Sequence, residues 1–246
     1  MADFYIPIVR GQKQLPSLSA VKNINNYGLY GLFRGNKNIN SVSFSALTKI
    51  SGDYGLDSTF TDCSNIETLD LSVLTTVSGD HAMETSFGNC TNLISVDLSN
   101  LTTVSGNSAM YYAFRGCSSL QSISFPKLTT VSGGYGMRSI LTDCSSLQSI
   151  SFPKLATLSG SFALYYAFSG CKALEHVYFN ALKTSSFGSS ITNQFSGLLN
   201  NTGTTVNHTL HFPSNLSSKI STLTGYPNFG GTSNYVILAF DLPATS

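Results

Sequence analysis

Cys63, Cys90, Cys117, Cys144 and Cys171 each fall 27 residues after the one before, and this interval constrains the fold more than any other feature of the chain. Around each cysteine one skeleton recurs, clearest from Phe114 through Cys117, Leu120, Ile123, Phe125, Leu128 and Val131 to Gly133. A fixed period of this kind marks a solenoid, in which each unit buries its apolar face only against its neighbours.

The columns of the repeat predict how one unit is built. Phe33, Phe60, Phe87, Phe114, Leu141, Phe168 and Phe195 share one position, and Ile39, Ile66, Leu93, Leu120, Leu147 and Leu174 share another. Two further columns are Val42, Leu69, Val96, Ile123, Ile150, Val177 and Phe44, Leu71, Leu98, Phe125, Phe152, Phe179. They lie two residues apart, which is the spacing of inward side chains on a strand. Leu47, Leu74, Leu101, Leu128, Leu155 and Leu182 follow, and then a column running from Ile50 to Leu158. Two residues beyond each member of that last column stands a glycine, at 52, 79, 106, 133 and 160, for which a turn with φ > 0 is predicted.

The units set the domain boundaries. Residues 1–32 are assigned to an N-terminal cap, 33–198 to six 27-residue units with a degenerate seventh, and 199–246 to a C-terminal cap. Within the first cap Phe4–Val9 is β-rich, and Leu18, Val21 and Ile24 are spaced as one face of a short helix. In the last segment Asn200–Thr205 suits a loop, Leu210–Pro213 resumes the strand motif, and Leu216, Ile220 and Leu223 fit a helix stopped by Gly225 and Pro227. Tyr235–Phe240 is predicted as a final strand covered on both faces. Caps are needed because an open solenoid end exposes core and unpaired strand edge together.

Composition removes several classes of partner. Only 10% of residues are charged, against about 25% for an average soluble protein, and the net charge is +1 with no cluster of Lys or Arg. No electrostatic footprint for nucleic acid or an anionic membrane is present. No stretch approaches the roughly 20 apolar residues of a spanning helix, so no membrane insertion is expected. The first residues lack the basic and apolar segments of a secretory signal, which leaves retention in a cytoplasm, export without a cleaved signal, or a signal already removed.

The cysteines are predicted to form a buried structural thiol ladder. Equivalent positions of adjacent units stack about 4.7–4.9 Å apart with parallel side chains, whereas a disulfide needs Cβ atoms about 3.8 Å apart and inclined together. A straight ladder does not converge on a tetrahedral metal either. No metal and no cofactor is therefore expected, and no Gly-rich phosphate loop follows a strand.

The order Phe-x-x-Cys-x-x-Leu-x-x-Ile-x-Phe-Pro from Phe114 to Pro126 returns at Leu141 to Pro153 and, without the proline, at Phe60, Phe87 and Phe168. It resembles the leucine-rich repeats of the BspA-like family, over roughly residues 33 to 195. The resemblance implies a β-rich, right-handed solenoid with a parallel sheet on one side and short helical or irregular segments on the other. It further implies no catalytic machinery and frequent service as a bacterial surface adhesin, which favours an extracellular, bacterial-surface or virion-surface location. Proteins of phage tails and prophages also carry such repeats, so a structural tail component is the alternative.

Three sets of residues are candidates for chemistry. Between each glycine and the next Phe column the units differ while the skeleton holds. Tyr111, Tyr112, Arg138, Tyr165 and Tyr166 are expected to form one patch there, with Tyr and Arg the types that dominate binding hot spots. A surface protein or a glycan is the ligand class this suits. Asp70 and Asp97 occupy one column of adjacent strands at about the 5 Å spacing of a retaining glycosidase pair, yet a flat serine-lined face offers no cleft to keep one of them protonated. Ser149 and His176 are also neighbours, without an acid in the adjoining column to orient the imidazole. The expected function is non-catalytic binding or adhesion, with a glycoside-active enzyme the distant alternative.

Overall fold

A computed structural model describes residues 18–187, 198–199, 208–221 and 236–244. Phe4–Val9, Phe195, Asn200–Thr205, Leu223, Gly225, Pro227 and Tyr235 lie outside them. The chain winds as a parallel β-solenoid of about seven turns. Two strands recur in each complete coil, one of three residues and one of two.

The three-residue strands β2 (Ser41–Ser43), β4 (Thr68–Asp70), β6 (Ser95–Asp97) and β8 (Ser122–Ser124) pair in parallel and in register. A second four-stranded sheet continues with β10 (Ser149–Ser151), β12 (His176–Tyr178), β13 (His208–Pro213) and β14 (Val236–Leu242). In each three-residue strand the middle residue is buried and its neighbours face outward. The two-residue strands form a six-stranded sheet of their own. It runs from β1 (Asn23–Ile24) through β3 (Lys49–Ile50), β5 (Thr76–Val77), β7 (Thr103–Val104) and β9 (Thr130–Val131) to β11 (Thr157–Leu158). Ahead of them a threonine column braces the coils, with the hydroxyls of Thr75, Thr102 and Thr129 donating to the carbonyls of Thr48, Thr75 and Thr102 at 2.8, 3.0 and 3.1 Å.

Among the described residues, the third side of the coils is a ribbon of tandem turns with no helix. In the first ribbon the N–H groups of Gly28, Tyr30, Leu32, Arg34 and Asn36 donate three residues back along the chain. The alternate N–H groups of Tyr27, Leu29, Gly31, Phe33 and Gly35 donate to Asp53, Gly55, Asp57, Thr59 and Thr61 of the next coil. Alternation of this kind satisfies the backbone without a helix or an extended strand. It places φ near +60° at every fourth residue, as at Tyr54, Ser58 and Asp62. Between them Leu56 and Phe60 point inward and are buried.

The core is a set of stacked columns. Phe33, Phe60, Phe87 and Phe114 stack with centroids 5.2, 5.2 and 5.7 Å apart. Phe125, Phe152, Phe179 and Phe212 stack at 5.4, 5.4 and 5.3 Å, and Phe240 extends the column at 5.9 Å. These spacings follow the distance between neighbouring strands, and offset stacked rings are favoured there.

The glycine column serves a different purpose from the predicted one. Gly52, Gly79, Gly106, Gly133 and Gly160 are absent from the residues with positive φ. A methyl group on Gly79, Gly106, Gly133 or Gly160 would instead overlap the backbone carbonyl of the glycine one coil back. Close approach of backbone to backbone, not turn geometry, requires glycine here. Left-handed backbone occurs in other columns of the ribbon, and one of them, Gly35, Asp62, Asn89, Gly116, Asp143 and Gly170, is built from the residue types that tolerate this conformation best.

The ends match the sequence expectation only in part: Leu210–Pro213 is a strand and Ile220 is helical, as expected, but other features differ. The coil register begins before residue 33, since Asn23–Ile24 pair with Lys49–Ile50. Leu18 and Val21 are joined by a turn, not a helix, and Ile24 lies in a strand. At the other end the parallel sheet continues through β13 and β14, the 3-10 turn Ser214–Leu216 places Leu216 in the core, and α1 (Ser217–Ile220) places Ile220 there. Strand β14 is an edge with Ile237 exposed at 49%, not a strand covered on both faces.

Candidate functional site

The turn ribbons carry a stripe of aromatic and charged side chains along the solenoid. Tyrosine is a poor residue for φ > 0, yet Tyr27, Tyr54, Tyr112 and Tyr166 adopt it, as does His81, and the N–H groups of Tyr27, Tyr54, His81 and Tyr112 donate to carbonyls of the next coil. The ladder thus fixes the placement of the rings. Tyr27 and Tyr54 stack at 5.1 Å, and Tyr54 and His81 at 4.8 Å. Ser108 interrupts this column, which resumes with Tyr135 and Phe162 at 5.1 Å.

Arg138 is the centre of the C-terminal half. Its guanidinium carbon lies 5.2, 5.3 and 5.0 Å from the ring centroids of Tyr111, Tyr135 and Tyr165. Arg115 sits 5.1 Å over Tyr112. Tyr111 and Tyr112 approach to 4.2 Å, and Tyr165 and Tyr166 to 4.5 Å. All five residues singled out by the sequence therefore come together, each half-buried. Arg138 Nε is shielded from solvent and has no hydrogen-bond partner. Burial and then the neighbouring Tyr112 hydroxyl push the Tyr111 phenol up to about 12. This is a fitted surface in which the rings pack on the scaffold and on one another.

The N-terminal half of the stripe is acidic. Asp57 is buried, which raises its carboxyl above the usual range, and it accepts a hydrogen bond from Ser58 Oγ at 2.7 Å. Glu84 pairs with His81. Tyr27 and Tyr30, 60% and 54% exposed, project furthest. Sequence reasoning that begins the array at residue 33 misses both, although Tyr27 stands 27 residues before Tyr54 and that interval is the signal that finds it.

A family model for the BspA-type leucine-rich repeat region matches residues 12–133 and 110–217, with six copies. The chain belongs to the BspA-type leucine-rich-repeat family. A crystal structure of a leucine-rich repeat protein from Bacteroides ovatus is similar at 19% identity and a TM-score of 0.32, over 88% of this chain and 64% of that one. The chain thus spans less than two thirds of that protein's length. No curated protein matches. Family and fold are typically non-enzymatic, and the leucine-rich repeat points to a protein-binding module.

In this BspA-type array the five cysteines are buried thiols. Each donates to a carbonyl of the preceding coil, from Cys63 to Phe33 at 3.0 Å through Cys171 to Leu141 at 3.0 Å. Asp70 and Asp97 are paired in register on the outward sheet face. Hydrogen bonds from Ser72, then from Ser43, hold the Asp70 carboxyl below its usual range, the reverse of what a general acid requires. Ser149 pairs in register with His176. That imidazole has a partner the sequence did not show: His176 Nδ1 lies 3.1 Å from His211 Nε2, and His211 Nδ1 lies 2.8 Å from Asp241 Oδ2.

Proposed function

We propose that the chain is a non-catalytic binding or adhesion module whose turn-ribbon stripe engages a surface protein or glycan. The arrangement of Arg138 among Tyr111, Tyr135 and Tyr165 carries this reading. A guanidinium packed among three rings is held in place, and half-exposed tyrosines offer flat apolar faces edged by hydroxyls. Tyr and Arg in a rigid setting lose little side-chain entropy on binding, which is why they dominate hot spots. With 10% charged residues in the chain, stacking and hydrogen bonding suit the surface better than electrostatic steering.

The test is a glycan and host-protein array on the purified chain, followed by titration of each hit against variants. Arg138→Leu keeps the space between the rings filled while removing charge and donors, and Tyr111→Ala removes one wall. Each is expected to weaken binding at least about tenfold, the effect of losing a hot-spot side chain. Tyr111→Ala is also expected to lower stability by about 1 kcal/mol, since it removes a cation–π contact and a half-buried ring. Folded variants that bind as the parent does would remove the stripe from consideration and turn attention to the sheet face around Asp70, Asp97 and Tyr178.

A further inference from the structure

The outward face of the C-terminal sheet carries a second cluster, separate from the stripe. Strands β12, β13 and β14 bring His176, Tyr178, His211 and Asp241 together, and Tyr178 stacks on His211 at 4.2 Å with the rings 14° apart. Asp241 holds His211 Nδ1 through both oxygens, at 3.0 and 2.8 Å. A carboxylate accepts only, so Nδ1 carries the proton and Nε2 of the neutral ring presents its lone pair. That lone pair faces His176 Nδ1 at 3.1 Å.

The geometry points to a two-imidazole site on this face for a divalent transition-metal ion, with His211 Nε2 and His176 Nδ1 as ligands and Asp241 as the group that orients His211. Two nitrogens bound at 2.0–2.1 Å in a tetrahedral site lie about 3.3 Å apart, within a few tenths of an ångström of the separation seen. Binding moves the His176 proton from Nδ1 to Nε2 by exchange with solvent, so that both rings stay neutral and each offers one lone pair to an ion lying off the line between the two nitrogens. A carboxylate behind a histidine is the recurring support of such ligands, fixing the tautomer and raising basicity. Stacking on Tyr178 restrains the His211 ring, whose side chain is only 11% exposed.

Among the described residues no three His, Cys, Asp or Glu side chains form a ligand set, so the ion has two protein ligands and keeps two positions for water or an external donor. Imidazole pairs select Cu²⁺, Ni²⁺ and Zn²⁺ over Mg²⁺ and Ca²⁺, with Cu²⁺ strongest.

The experiment is calorimetric titration of the untagged full-length chain with Cu²⁺, Ni²⁺, Zn²⁺ and Mg²⁺. It is accompanied by NMR of the imidazole protons during addition of paramagnetic Ni²⁺. One ion per chain is expected, strongest for Cu²⁺ and absent for Mg²⁺, and of the four histidines His176 and His211 broaden first. Asp241→Asn is expected to weaken binding roughly 10- to 100-fold, the usual effect of removing an outer partner. His176→Gln, at a half-exposed position, is expected to abolish it in a chain that circular dichroism shows to be folded. Uptake that survives His176→Gln, earlier broadening of His81 or His208, or no uptake at millimolar ion would each overturn the site.

Discussion

Gly133→Ala is expected to lower the stability of the solenoid by about 3 kcal/mol, the upper part of the range for overpacking an interior, and to move the urea midpoint accordingly. The backbone conformation at 133 suits alanine, since its φ is not positive. The obstacle is the neighbouring coil: the new methyl group would overlap the carbonyl of Gly106, and Gly160 rests on the carbonyl of Gly133 in the same way. Neither contact is a side-chain tip that can swing aside. Relief requires two coils to separate, which strains the β7–β9 and β9–β11 pairings on the same strip. The control is Gly35→Asn. Gly35 has φ +73 and open space around its Cβ, and its column elsewhere holds Asp62, Asn89 and Asp143. A change within about 0.5 kcal/mol is expected there. Equal stability of the Gly133→Ala protein would mean that the coils do not stack through these glycines.

The columns were legible because each repeats one packing environment every 27 residues, so identity alone reveals burial. What escaped the sequence is structure whose period is neither 2 nor 3.6. The ribbon places Leu56 and Phe60, or Met83 and Phe87, four residues apart, a spacing that also suits a helix. Nothing in the side chains announces φ > 0 at Tyr54 or Ser58. Strands of two residues, such as Thr103–Val104, are too short to show alternation, and this hid the second sheet. The glycine column was visible, but a glycine needed for close approach reads the same as one needed for a turn. The stripe was half legible: its C-terminal residues were found from their variation among units. Tyr27 and Tyr30 were lost to a boundary drawn six residues late for Tyr27. The pair His176 and His211 is separated by 35 residues and His211 and Asp241 by 30, so the 27-residue ruler could not bring them together.

Alkaline solution is expected to unfold the array by ionising thiols that are neutral in the folded state. Burial raises the pKa of all five cysteines: Cys63 is pushed up to about 11, Cys117 up to about 12, and Cys90, Cys144 and Cys171 also lie above the ordinary thiol value. In the unfolded chain the same groups ionise near the ordinary thiol value of about 8.5. Above that pH the unfolded state has released protons that the folded state still holds, so stability falls as pH rises. The contribution is fully present below about pH 8.5 and is withdrawn until each folded thiol itself ionises. Each thiol contributes a slope of about 1.4 kcal/mol per pH unit, so the four from Cys90 to Cys171 together give roughly 5 kcal/mol per unit. A typical margin of about 5–15 kcal/mol is consumed within a few pH units. The measurement is the urea midpoint from about pH 8 to about pH 10.5, with labelling by a thiol reagent at each point. Labelling is expected to be negligible in the folded chain and complete on unfolding. Cys117→Ala should make the pH slope shallower by about 1.4 kcal/mol per unit, whatever it does to stability at neutral pH. A midpoint that holds steady through this range, or a slope unchanged by Cys117→Ala, would show that the ladder is open to solvent.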